Sequence, residues 1–257
     1  MLHDLYDYRA MIANLVKRDL VGRYKKSVLG FLWSFIDPLL QLLIYTILFT
    51  KIMPVIDIPY FHLHLFVALV PWLFFASCLT GGCMSVIGQQ DMLKKIYFPR
   101  EVLPVAFVTA QFINMLMSFI MVFAVLIITG YGISIMCILF FPIVLIMQYM
   151  LALGITFVAS AVTVYFRDMQ QILNALSLVL MYASPVIYAL QYVPQEYRFL
   201  YMMNPITRVI VAYRDILYFK QVPELSNMLI GSVECSLALV IGAVIFRKMS
   251  KRFAEEL

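Results

Sequence analysis

Six apolar runs, at 29–50, 64–87, 103–129, 134–164, 171–190 and 226–246, leave this chain few ways to fold. A helix crosses the hydrocarbon of a bilayer with about 20 apolar residues. Inside lipid every backbone N–H and C=O must bond within the protein, so such runs become helices or barrel strands. None of the six alternates polar and apolar residues as a barrel strand does, which leaves helices. Composition agrees. The chain is 64% hydrophobic and 13% charged with a mean hydropathy of +0.94, whereas soluble domains are about half apolar and about a quarter charged. An all-α integral membrane protein with six transmembrane helices is expected. The fourth run exceeds one crossing, so it tilts or bends, and Pro142 and Gly154 are the places for a bend.

Lysine and arginine decide the orientation. With the N-terminus inside, the inner side carries fourteen of the nineteen, from Arg9 through Lys94, Lys95, Arg100 and Arg167 to Arg252. The outer side carries five: Lys51, Arg198, Arg208, Arg214 and Lys220. Both termini are therefore expected in the cytoplasm. The net charge of +5 then reflects topology, which removes most of the case for nucleic acid as a partner. Cys78, Cys83, Cys137 and Cys235 all fall inside apolar runs without metal-ligand spacing and read as reduced packing residues. Residues 1–28 are rich in charge and lack a continuous apolar core, so they are no cleaved signal.

Three stretches outside the runs carry the information about function. Within residues 1–28, Leu5, Tyr8, Ile12, Leu15, Val16 and Leu20 recur at helical spacing with Asp4, Arg9, Lys17 and Arg18 on other faces. This predicts an amphipathic helix in the headgroup plane on the cytoplasmic side, either a plain anchor or also a contact for a soluble partner. Between runs two and three lies QQDMLKKIYFPRE (89–101). Asp91 is placed to cap a short helix that Pro99 closes. Leu93, Tyr97 and Phe98 beside Lys94, Lys95, Arg100 and Glu101 compose either an ordinary basic loop or a small docking knob. Outside, residues 191–225 are broken by Pro194, Pro205 and Pro223. From Pro205 onward, Ile206, Val209, Ile210, Tyr213 and Leu217 alternate with Arg208, Arg214 and Asp215. That pattern predicts a short helix lying at the outer interface, either an aromatic-belt anchor or a lid over a conduit.

Several chemistries have no residues to carry them. The phosphate-cradling GxxxxGK[ST] is missing, as are HExxH, GxSxG and DxD patterns, so this chain holds no ATP site and no enzyme signature. His62 and His64 read as interface histidines; two ligands at that spacing make poor metal binders. Asp37 and Glu234 are the few acids inside the runs, and one isolated acid is thin support for a proton relay. Any transport must take its energy from elsewhere.

KRDLVGRYKKSVLGFLWSFIDPLL (17–40) resembles the opening motif of bacterial ABC-type polysaccharide export permeases, which serve O-antigen, capsule and teichoic acid. Arg18, Arg23, Tyr24, Ser27, Leu29, Gly30, Trp33 and Pro38 match it. LKKIYFPREVLP (93–104), YFRDMQQI (165–172), SPVIY (184–188) and NPITRVIVAYRDIL (204–217) extend the resemblance over nearly the whole chain in order. Asp37 departs from it, standing where an apolar or amide residue is expected.

The resemblance implies a homodimer of six-span subunits in the bacterial cytoplasmic membrane, docked on two copies of a separate ABC ATPase that binds ATP and Mg. This chain would hold no cofactor. It implies that Asp91, Leu93, Lys94, Lys95, Tyr97, Phe98, Arg100 and Glu101 form the coupling element. Beside them an interface helix carries Arg18, Arg23, Tyr24 and Lys25, which would attract the pyrophosphate of an undecaprenyl-linked glycan; a basic collar for membrane lipids is the plainer reading. Spans one and five would line the channel, and Asn204, Pro205, Arg208, Tyr213 and Arg214 would belong to the outer gate. Trp33, Tyr45, Trp72, Tyr149, Tyr182 and Tyr188 are candidate channel aromatics, since aromatic faces hold sugar C–H surfaces without fixing one register. Each reads equally as lipid contact or core. A permease of similar build for a small lipid or drug is the alternative function.

Overall fold

The computed structural model describes residues 2–24, 30–52 and 58–256, and among them there are helices and loops but no strand. Two helices, α1 (Leu2–Asp7) and α2 (Arg9–Tyr24), precede the first crossing, α3 (Trp33–Ile47), which widens into a π turn over Leu48–Ile52. Next come α4 (Phe61–Thr80), the short α5 (Gln90–Lys95) and α6 (Val102–Ile128). The fourth run is two helices, α7 (Ile135–Ile138) and α8 (Phe141–Tyr165). Pro142 sits in the first turn of α8, where its missing N–H costs nothing, so the break precedes it.

Among the described residues five helical segments are long and apolar enough to cross a membrane: Trp33–Ile52, Phe61–Met84, Val102–Ile128, Ile135–Tyr165 and Leu225–Ser250. The remaining run begins as α9 (Met169–Tyr182), 14 residues long, or roughly 21 Å at 1.5 Å per residue. The chain then loosens through Ala183–Val193 into α10 (Gln195–Met202) and α11 (Pro205–Leu217). It closes with α12 (Leu225–Ser250) and α13 (Phe253–Glu256).

The core forms around α4, which packs against α3, α6, α8, α9 and α11. Its apolar residues occupy every face, and most are buried. The tightest crossing is α8 on α12. A Cβ on Gly154 would run into the carbonyl of Ala238, and one on Gly242 into the carbonyl of Gly154. Gly154 is thus no hinge; it lets two backbones touch.

Several polar groups inside the bundle find partners across helices, while others, Asn114 Oδ1 and Thr207 Oγ1 among them, have none. Pro38 lacks the N–H that would bond the carbonyl of Ser34, and the Ser118 hydroxyl of α6 donates to that carbonyl instead, at 3.3 Å. Gln148 Nε2 of α8 donates to the Pro71 carbonyl of α4 at 2.8 Å. Glu234 is not isolated: it pairs with Arg208 at 3.0 Å, and Arg208 also donates to Asn227. All four cysteines are free and buried. His64 is buried between Phe61 and Tyr218, and no metal-holding cluster occurs among the described residues.

Candidate functional site

Three places merit attention: the tip at α5, the irregular segment after α9, and a polar cleft beside α3. At the tip, α2 does not simply float on the membrane. Its apolar face buries Leu15 and Val16 against Phe98, Val102, Leu103, Ala106 and Ala110, with Leu5, Tyr8, Ile12 and Leu20 around them. Helices α2 and α6 therefore share one apolar contact. Met92 and Leu93 of α5 join this cluster from the side.

The base of the loop is also tied down. Arg247 near the end of α12 donates to Glu101 at 3.3 Å and lies 3.9 Å from Asp4 of α1. Arg100 sits 5.7 Å from the ring centre of Phe253. What projects is the stretch between: Asp91, Lys94, Lys95 and Ile96 are exposed, and Tyr97 is 96% exposed. Three expectations need correction. Phe98 is 4% exposed and belongs to the core, because the chain turns inward at Pro99. Asp91 lies in the first turn of α5 rather than at its cap, which is Gln89 without a side-chain bond. Glu101 and Arg100 hold the base instead of forming the tip. On α2, Arg18 lines a small cleft with Asp19, Ser85 and Gln89. Lys25 lies outside the described residues, as do the side chains of Arg23 and Tyr24.

After α9 the backbone from Ser184 to Tyr188 is not helical, yet it is almost wholly buried. Its carbonyls need donors, and Arg214 supplies them. The guanidinium donates to the carbonyls of Pro185, Val186 and Tyr188, and at 3.4 Å to that of His64 on α4. A buried arginine is tolerable where each N–H finds an acceptor. Asn204 caps α11, accepting from the Ile206 N–H and donating to Ser184. Pro205 follows in the first turn. The expected surface lid is therefore a correction as well: α11 is inserted among α4, α8 and α12, with Ile206, Val209, Ile210, Tyr213, Arg214 and Leu217 buried. Tyr213 packs on Phe119 and Phe141. The exposed outer helix is α10.

The expected channel aromatics divide. Trp72, at 3% exposed, is core packing beside Phe75, a correction that follows from the central position of α4. Tyr149 is half-buried, with its hydroxyl 2.9 Å from that of Thr109. Tyr188 donates to the carbonyl of Tyr182 and lies 3.1 Å from the Tyr201 hydroxyl. Trp33 and Tyr182 are exposed, and Tyr45 is half-buried within electrostatic reach of Tyr182. Three of the six thus stand on one side of the chain, on α3 and α9, the two crossings least covered by the rest of it.

A further feature had no single motif to reveal it. Between α3, α4 and α6 lies an open cleft of about 300 Å³. Trp33, Ser34, Asp37 and Gln41 line it from α3, Ser77 from α4, and Gln111, Asn114 and Ser118 from α6. The only hint in sequence was polar residues recurring at helical spacing in two otherwise apolar runs.

Taken as a whole, the fold defines a polytopic helical membrane protein. A profile described as ABC-2 type transporter matches residues 11–218, and the chain belongs to that family. It is 31% identical to the O-antigen export system permease protein RfbA of Myxococcus xanthus, over 100% of this chain and 99% of that protein. It is 32% identical to a Klebsiella pneumoniae protein of the same description, over 98% and 95%. The polysialic acid transport protein KpsM of Escherichia coli shares 23% over 93% of both chains.

Proposed function

We propose that this chain is the membrane-spanning subunit of an ATP-driven polysaccharide exporter, carrying a lipid-linked glycan of O-antigen type across the bacterial cytoplasmic membrane. Full-length similarity to export permeases supports the glycan as cargo. The observation that carries the coupling is the clamped tip: a short helix with Lys94, Lys95 and Tyr97 exposed, on a base locked to α1, α2, α6 and α12. Force on such a projection reaches the spans without being lost in a flexible loop. A separate ABC ATPase would seat it and bind ATP and Mg, with both termini of this chain on the same cytoplasmic side.

Two copies would face each other across α3 and α9. These crossings are the least buried, and they carry Trp33, Tyr45 and Tyr182 with polar Asp37, Gln41 and Asn174. The segment 183–217, held by Arg214, would close the outer end. Replacing Lys94 and Tyr97 with alanine is expected to abolish co-purification of the ATPase while the protein still inserts and folds. Unchanged co-purification would remove the coupling role.

A further inference from the structure

The cleft between α3, α4 and α6 gathers polar side chains from all three helices inside a mostly apolar bundle. Asn114 lies about 18 Å along α6 from Val102, well within the membrane. Polar side chains at that depth are costly without partners. Some are satisfied internally: Ser77 donates to Gln111 Oε1, and Ser118 to the Ser34 and Asn114 carbonyls. The buried Asn114 Oδ1 has no hydrogen-bond partner. Asp37 and Trp33 are exposed at the rim. A volume of about 300 Å³ is at the lower end for small-ligand sites, enough for one sugar ring and too small for a chain.

We propose that this cleft is a subsite for one uncharged, hydroxyl-rich sugar unit of the passing polymer. Trp33 offers a flat apolar face for the C–H side of the ring. The Asp37 carboxylate accepts from a pair of adjacent hydroxyls, the strong kind of hydrogen bond, while Gln41 and Asn114 offer both donors and acceptors. Among the described residues no side chain lining the cleft is basic, so none there offsets Asp37 against an anionic sugar, and carboxylated or phosphorylated units are rejected by like charge. Asp37 thereby selects cargo, where the resemblance expected an apolar or amide residue.

The inference rests on the polysaccharide-export reading, and its test is separable from it. The full chain is placed in phosphocholine nanodiscs, free of sugar-headed detergent, with Trp72→Phe leaving Trp33 as sole tryptophan. Trp33 emission is followed against a neutral mannose trisaccharide and against sialyllactose. The neutral sugar should give a saturable change and the sialylated one none. Asp37→Asn should weaken the neutral response by about tenfold or more, as expected for losing a hydrogen bond to a charged group. Asn114→Leu provides a second variant away from the rim, and Asp37→Lys should turn the preference toward sialyllactose. Equal response to both sugars, response to neither, or an unchanged response in Asp37→Asn overturns the subsite and leaves export untouched. Normal surface glycan in cells lacking this chain would instead defeat export itself.

Discussion

Neighbouring residues in this chain have opposite duties. Tyr97 points into solvent and Phe98 into the cluster beneath α2. Phe98→Ala should cost about 3–5 kcal/mol as a truncated core aromatic, and it should lower thermal stability along with partner binding. Tyr97→Ala should lower binding alone. Equal loss of stability in both would contradict this division, and differential scanning fluorimetry of the purified variants decides it. A second residue test concerns pH. Burial, with the like charge of Glu224 adding to it, pushes the Asp215 carboxyl up to about 6 from 3.8. The folded state then holds this proton more tightly than the unfolded chain. The stability it supplies is complete below the unfolded value and is lost as pH rises through about 6. The protein should unfold at higher temperature near pH ~5 than near pH ~7.5, and Asp215→Asn should shrink that difference. No change in the pH dependence on substitution would contradict the account.

Elements differ in how readable they were. The long crossings announced themselves because each is twenty or more residues long and mostly apolar, and hydropathy measures little else. Their faces did not, since α4 is apolar all round and Trp72 looks the same whether it meets lipid, a channel or the core. Helix α11 misled for a related reason. Ile206, Val209, Ile210, Tyr213 and Leu217 would make the same stripe on a membrane surface or wedged between spans. Only the demand of the irregular 184–188 backbone for donors, met by Arg214, separates the two. In α8, Gly154 looked like a point for a bend, but with Gly242 of α12 it sets a backbone-to-backbone approach between the two helices. Gly154→Leu or Gly242→Val should force these helices apart, with loss of most folded protein from the membrane fraction. Wild-type yield and melting behaviour of either variant would show that the crossing is not needed.

For the molecule as a whole, a chain of packed contacts runs from the tip at α5 to the segment after α9. The tip is fixed to α2 and α6 by apolar contact and to α12 through Glu101 and Arg247. Helix α12 holds α11 through Glu234 and Arg208, and Arg214 of α11 holds the backbone that follows α9. Displacement at Lys94 and Tyr97 therefore has a packed path to the far side, while α3 and α9 remain little covered, available to a second copy. The most direct measurement is transport of a fluorescent lipid-linked glycan into proteoliposomes holding this chain with or without its cognate ATPase. The account predicts uptake only when both subunits and ATP are present, and none with Lys94→Ala/Tyr97→Ala. Directional uptake by this chain alone would contradict it.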